Sequence, residues 1–194
     1  MFHFFLGQRT TPFTTQNDVL KKYNLATNDN GDTVGMCRPM SNAYLSVILK
    51  GKNPGPYLKN DKKFLAKAIK EENRELEAEK NGHKDVDHLA FYQNNIPHTD
   101  EELGKQDLTK DKFKMLLQKH QHLLVTYPVT SEMSHEVYIG RDTEKNYSCR
   151  FFDANIKGGE RKGSCDKIIT EFVSRAQKEY AEGDRGFYVG KSNP

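Results

Sequence analysis

Cys37 lies at the junction between a segment rich in glycine, asparagine and aspartate and a stretch whose apolar residues recur at helical spacing. Pro39 is compatible with that helix only if it falls in the first turn, so the helix is predicted to begin at Cys37. The helix dipole and the exposed N–H groups at this end favour a thiolate, and one N–H can also face a developing oxyanion. These features predict a nucleophile for acyl transfer.

A base for this nucleophile and a residue to orient that base can be placed on two predicted strands. His135 heads HEVYIG, where it shares a face with Val137 and Ile139. Asp153 follows the next predicted strand, and a hairpin between the two strands would bring its carboxylate to the imidazole. Cysteine, histidine and aspartate in these roles predict a thiol hydrolase that attacks a carbonyl, forms a thioester and releases it to water.

The elements that must position these residues are helices first and then mostly strands. Predicted helices cover TTQNDVLKKYNL, CRPMSNAYLSVILK, Asp61 to Lys80, Thr109 to His120 and a segment capped by Ser164 that ends near Tyr180. Predicted strands are HLLVTYPV, HEVYIG, NYSCRFFDAN and GFYVG. This order, without an internal repeat or a linker, predicts one α+β domain over residues 1–194 with a small antiparallel sheet.

The connecting segments are less regular. DVDHLAFYQNNIPHTDEELGKQDL predicts one short helix followed by a loop, Arg141 to Asn146 a hairpin connection, and IKGGERKGS a flexible loop. The Lys/Glu-rich helix from Asp61 to Lys80 is predicted to be a surface helix with a solvated charged face. Its predicted buried stripe is Leu65, Ala68, Ile69 and Leu76.

The blocks GMCRPMSNAYL, SHEVYIG and RFFDAN, in this order, resemble the cysteine, histidine and aspartate blocks of the papain-like peptidase clan, and most of all the YopT-type bacterial effector peptidases. The resemblance implies a papain-like fold, with Cys37 on the central helix and His135 and Asp153 on the sheet. It also implies a secreted virulence effector that is delivered into a host cell and cleaves a host protein there.

That family completes its oxyanion hole with an amide side chain upstream of the cysteine. Asn30 is the preferred candidate here and Asn28 the alternative, whereas an ionised Asp32 could not donate a hydrogen bond. Asn155 is interpreted either as a support for Asp153 or as a turn residue.

Charge and the distribution of apolar residues argue against several other classes of protein. Lysine and arginine number 30 against 27 aspartate and glutamate residues, with both signs mixed along the chain, so no nucleic-acid partner is predicted. MFHFFLGQ lacks the features of a Sec signal peptide, and no stretch is long enough to span a membrane. Without the family resemblance, the chain would therefore be placed in the cytoplasm.

No cofactor or metal is predicted. His120 and His122 could offer two ligands, but no cysteine or acidic partner nearby completes a zinc set. Of the three cysteines, Cys149 and Cys165 are interpreted as core or helix-start thiols without a catalytic role.

Other functions remain open at this point. Glutamine deamidation and acyl transfer would use the same three side chains as peptide cleavage, and the sequence does not separate these reactions. A binding module that keeps the fold but does no catalysis is a further alternative. The reactivity of Cys37 would distinguish the enzyme from the binding module.

Overall fold

The computed structural model describes residues 9–83, 87–142 and 148–194. MFHFFLGQ, and the part of the predicted hairpin connection after Asp142, lie outside the described residues. The chain divides into two units: one runs to Ala90 and includes Asp153–Gly159, and the other comprises Phe91–Phe152 and Glu160–Pro194. The single domain expected from the sequence stays a prediction.

The first unit is helical. Its helices are α1 (Gln16–Lys22), α2 (Cys37–Leu49), α3 (Gly55–Leu58) and α4 (Asp61–Lys80). Polar N-caps start two of them: the Thr15 hydroxyl accepts from the N–H of Asp18 at 3.3 Å, and the Asn60 side chain accepts from that of Lys63 at 3.0 Å. The predicted helices at α1, α2 and α4 are confirmed, whereas no helix was predicted at α3.

Helix α4 buries a different stripe from the one predicted. Phe64, Leu65 and Ala68 are buried, but further along the helix Glu71 and Glu75 are buried while Leu76 is 49% exposed. The predicted inward position of Leu76 is therefore wrong. The two glutamates can be buried on this side of α4 because each forms an ion pair with an arginine, Glu71 with Arg74 and Glu75 with Arg38.

The second unit contains an antiparallel sheet of six strands among its described residues, in the order β1-β6-β2-β3-β4-β5. The strands are β1 (His98–Leu103), β2 (His122–Pro128), β3 (Ser134–Arg141), β4 (Ser148–Phe152), β5 (Glu160–Ser164) and β6 (Phe187–Ser192). The predicted α+β class with an antiparallel sheet is confirmed. Both edge strands, β1 and β5, lie in segments for which the sequence predicted loops.

Two amphipathic helices of the second unit, α6 (Lys110–Lys119) and α7 (Cys165–Glu179), each bury an apolar stripe. In α6, Phe113 and its apolar neighbours at helical spacing are buried, and in α7 Phe172 lies in the buried stripe. The two phenylalanine rings meet edge to face with centroids 4.8 Å apart. A short 3₁₀ helix (Lys105–Asp107) precedes α6, and α5 (Leu89–Gln93) begins in the first unit and ends in the second.

Candidate active site

Cys37 is the first residue of α2, as predicted, and its side chain is partly exposed. The first helical hydrogen bond of α2 runs from the N–H of Met40 to the carbonyl of Met36 at 2.9 Å. In any α-helix, the N–H groups of the first turn have no carbonyl acceptor within the helix. In α2, the side chain of the N-cap residue, Met36, forms no capping hydrogen bond. The thiol therefore lies at the positive end of the helix dipole, beside N–H groups of the kind that stabilise an oxyanion.

Arg38 anchors the first turn of α2 from the side. Its Nε lies 3.1 Å from Oε2 of Glu75, and its Nη1 lies 2.7 Å from Oδ1 of Asp87. The Asn42 side chain donates to the Arg38 carbonyl at 3.1 Å and accepts from the N–H of Ala90 at 2.8 Å. These contacts hold the helix start that carries Cys37.

A tight turn precedes this helix start and contains the predicted oxyanion-hole candidates. Oδ1 of Asn28 accepts from the N–H groups of Asn30 and Asp32 at 3.0 and 2.9 Å, and its Nδ2 donates to the Asp32 carboxylate at 3.0 Å. The amide of Asn28 therefore braces the turn. Asn30 lies exposed in the turn, and its role in an oxyanion hole stays a prediction.

Asp153 is 1% exposed and begins a loop, Asp153–Gly159, that belongs to the first unit together with Cys37. Its N–H donates to the Gly159 carbonyl at 2.9 Å, and its Oδ1 accepts from the N–H of Asn155 at 2.8 Å. This contact uses the backbone N–H of Asn155, so it does not distinguish between the two interpretations of that residue, as a support for Asp153 or as a turn residue. One oxygen of the carboxylate is thus oriented by the backbone of its own loop.

Gln16 joins the Asp153 loop to the start of α2. Its Nε2 donates to Oδ1 of Asn155 at 2.5 Å, and its Oε1 accepts from the N–H of Met36 at 2.8 Å. The segments that carry Cys37 and Asp153 are therefore brought together within the first unit. Sequence reasoning missed Gln16, since nothing local to it signals these distant partners.

His135 is the second residue of β3, belongs to the second unit and is 3% exposed. It lies opposite Tyr127 of β2, and the two rings meet edge to face with centroids 5.6 Å apart. The Tyr127 hydroxyl donates to Oε2 of Glu179 at 2.8 Å, and its ring stacks on Tyr180 at 6.2 Å. Packing against Tyr127 restricts the imidazole ring, and no local sequence pattern identifies Tyr127 as this partner.

The pairing of β3 with β4 determines which ends of these strands meet. The pairing is antiparallel, with Tyr138 opposite Phe152 and Arg141 opposite Cys149. The start of β3 and the end of β4 therefore lie side by side at the same end of the two strands. His135 is near the start of β3, and Asp153 is the residue that follows β4.

The chain also matches a solved structure, the crystal structure of the Pseudomonas avirulence protein AvrPphB. The match has a TM-score of 0.58 and 11% sequence identity, and it covers 81% of this chain and 90% of that chain. The two proteins share a papain-like fold. No protein-family model and no curated protein sequence matches the chain. The fold implied by the sequence blocks is thereby confirmed at the level of architecture.

The other two cysteines correct an expectation. Cys149 of β4 and Cys165 at the start of α7 form a disulfide, with their Cα atoms 4.6 Å apart. They are therefore not thiols, although the predicted helix start at Cys165 and the burial of Cys149 are confirmed. Sequence spacing alone does not show that two cysteines 16 residues apart meet across a turn.

His120 and His122 have other partners than a metal in the described part of the chain. Nδ1 of His120 lies 2.8 Å from the Ser192 carbonyl, and Nδ1 of His122 lies 2.8 Å from the Tyr138 hydroxyl. Burial, with the nearby charges of Arg150 and Arg141, lowers the pKa of His122 to about 4. His122 therefore acts as a neutral core residue.

Among the residues that the structure describes, no helix has the length and apolar character needed to cross a bilayer.

Proposed function

We propose that this chain is a cysteine protease that cleaves a protein substrate through Cys37, His135 and Asp153. The observation that carries the proposal is the position of Cys37: a partly exposed thiol outside the disulfide, at the first residue of a helix, in a chain with the papain-like fold. Each of these features favours a reactive thiolate over a structural cysteine.

In the proposed reaction, the thiolate of Cys37 attacks the carbonyl carbon of the substrate while an N–H group at the start of α2 stabilises the oxyanion. His135 takes the thiol proton and gives it to the leaving amine, which leaves a thioester on Cys37. Water, deprotonated by His135, then hydrolyses the thioester, and Asp153 orients the imidazole throughout. The start of β3 lies beside the end of β4, and this supports the assignment of this histidine and this aspartate.

A secreted role in a host cell is the finer part of the proposal. Two observations support it: the resemblance of the three sequence blocks to the YopT-type effector peptidases, and the shared fold with an avirulence protein. The substrate is expected to be a protein of the host.

The rate of Cys37 alkylation by iodoacetamide as a function of pH tests the proposal without a known substrate. The modified peptide is quantified by mass spectrometry for the wild type, His135→Ala and Asp153→Asn. We expect fast labelling of Cys37 well below the ordinary thiol pKa of about 8.5, and loss of this fast labelling in His135→Ala.

His83→Ala is the matched control, because His83 is exposed and lies outside the proposed site. Its labelling profile should equal that of the wild type. An ordinary thiol profile for Cys37 in the wild type would overturn the catalytic proposal and favour the binding module. If Cys37 is activated, Cys37→Ser serves as the inactive control in assays that separate peptide cleavage from glutamine deamidation and acyl transfer.

A further inference from the structure

The side chain of Gln16 bridges two segments that are far apart in the sequence. It is 7% exposed, and both ends of its amide are hydrogen bonded. Its oxygen accepts from the N–H of Met36, the residue before Cys37, at 2.8 Å. Its nitrogen donates to Oδ1 of Asn155 at 2.5 Å, and the N–H of Asn155 donates to Oδ1 of Asp153 at 2.8 Å. Three hydrogen bonds thus connect the start of α2 to the carboxylate of Asp153.

The direction of each bond in this chain is fixed by chemistry. A backbone N–H can only donate, so the amide of Gln16 must present its oxygen to Met36 and its NH₂ group to Asn155. The side chain of Asn155 must then present its oxygen to Gln16. Glutamine is suited to this position, because a carboxylate could not donate to Asn155 and an apolar side chain would leave the buried N–H of Met36 without this acceptor.

The backbone around Gln16 holds the same loop. The N–H of Gln16 donates to the Ala154 carbonyl at 2.7 Å, and the N–H of Gly158 donates to the Thr14 carbonyl at 2.8 Å. The Asp153–Gly159 loop is therefore attached to the start of α1 at two points, and the side chain of Gln16 extends this attachment to α2. The backbone bonds do not depend on the side chain at position 16, so the loop stays attached when that side chain is changed.

We propose that Gln16 is a positioning residue that, through Asn155, holds the helix start carrying Cys37 in register with the carboxylate of Asp153. The proposal rests on the proposed function, in which these two residues belong to one catalytic triad. Gln16 touches neither the substrate nor the reacting atoms in this role. It acts by limiting how far the two segments can shift relative to each other, and small displacements of catalytic groups are costly to rate.

The test measures the pH profile of Cys37 alkylation by iodoacetamide in Gln16→Ala, in Asn155→Ala and in the double variant. Asn155 is exposed, so Asn155→Ala keeps the test valid if Gln16→Ala does not fold. Loss of one orienting hydrogen bond should slow labelling near neutral pH about tenfold and leave labelling at alkaline pH unchanged. The double variant should be no slower than Gln16→Ala, because the two side chains act through one contact.

Gln177→Ala is the matched control, since the Gln177 side chain also donates a hydrogen bond, to the Leu108 carbonyl at 2.9 Å, but in the other unit. This variant should keep the wild-type profile. If Cys37 is activated in the wild type and is labelled at the same rate in Gln16→Ala and Asn155→Ala, the positioning role of Gln16 is overturned while the proposed function stands. An ordinary thiol profile in the wild type would overturn the proposed function, and the positioning role with it.

Discussion

Replacing Glu75 by glutamine should change how the stability of the protein depends on pH. The Glu75 side chain is 4% exposed on α4; Arg38 lies 3.1 Å from its Oε2, while the buried Oε1 has no hydrogen-bond partner among the described residues. Burial raises the pKa of Glu75 from 4.5 to about 7; Arg38 opposes the shift, and the charges of Glu72 and Asp87 add to it. Glutamine has nearly the same shape and keeps an oxygen for Arg38, but it cannot ionise.

The raised pKa determines the sign and the size of the effect. The folded state binds the Glu75 proton more tightly than the unfolded state, so this carboxyl contributes its full stability below its ordinary pKa of 4.5 and loses it as the pH rises to about 7. At about 1.4 kcal/mol per pKa unit, the loss amounts to about 3 kcal/mol. The stability of Glu75→Gln relative to the wild type should therefore increase by about 3 kcal/mol between acidic and neutral pH.

Urea unfolding of wild type, Glu75→Gln and Glu77→Gln across this pH range measures the difference. Glu77 is exposed on the same helix, so its variant controls for the loss of one charge from α4. The quantity compared is the free energy of unfolding of each variant minus that of the wild type. This difference removes the contribution of His122, which is present in all three proteins and changes stability with pH in the opposite direction over part of the range. A difference for Glu75→Gln that stays constant with pH would refute the reasoning.

Three further predictions concern the second unit. The pKa of His122 is lowered from 6.5 to about 4, so the unfolded state binds its proton first and stability falls as the pH drops between these values. His122→Asn should remove about 3 kcal/mol of this acid-induced loss, measured as the pH dependence of urea unfolding. Replacing both Cys149 and Cys165 by serine should lower the free energy of unfolding by about 3 kcal/mol, and an unchanged urea midpoint would contradict the disulfide. Tyr127→Phe keeps the ring beside His135 but loses the hydrogen bond to Glu179, so thermal or urea unfolding should show a loss of about 1 kcal/mol.

Elements whose positions depend on their own local pattern could be predicted from the sequence. Helix α4 was predicted over its full range, Asp61–Lys80, and α7 with its N-cap, Ser164. In both cases a polar cap and a helical period lie within one continuous segment. The strands around His135 were likewise marked by their apolar runs.

The two edge strands were missed for a physical reason. The sequences of β1 and β5, HTDEEL and ERKGS, carry few apolar residues and do not alternate in the manner of a half-buried strand. They form because backbone groups of β6 and β4 are available for pairing, which is a property of the neighbouring strand. Charged edge strands of this kind also discourage pairing with other chains.

Helix α4 was also assigned the wrong buried residue towards its C-terminal end, because hydrophobicity alone favours Leu76 over Glu75. The buried glutamates are compensated by arginines, and one of these, Arg38, lies on α2 in a distant part of the sequence. A local periodicity cannot include a partner of this kind. The resulting carboxyl with a raised pKa is the feature that the Glu75→Gln experiment measures.

The residues of the candidate site likewise fall into two groups: those that a local sequence pattern predicts, and those whose role depends on a partner far away in the sequence. The proposed nucleophile could be predicted because a turn, a helix start and a cysteine are adjacent in the sequence, and those local features dictate its chemistry. The proposed positioning of that nucleophile could not, because Gln16 and Asn155 are 139 residues apart and neither residue type signals the other. Substitutions near Cys37 should therefore alter the chemistry directly, whereas substitutions at Gln16 or Asn155 should alter only the pH range over which Cys37 reacts. This difference separates the two kinds of residue experimentally, even before a substrate is known.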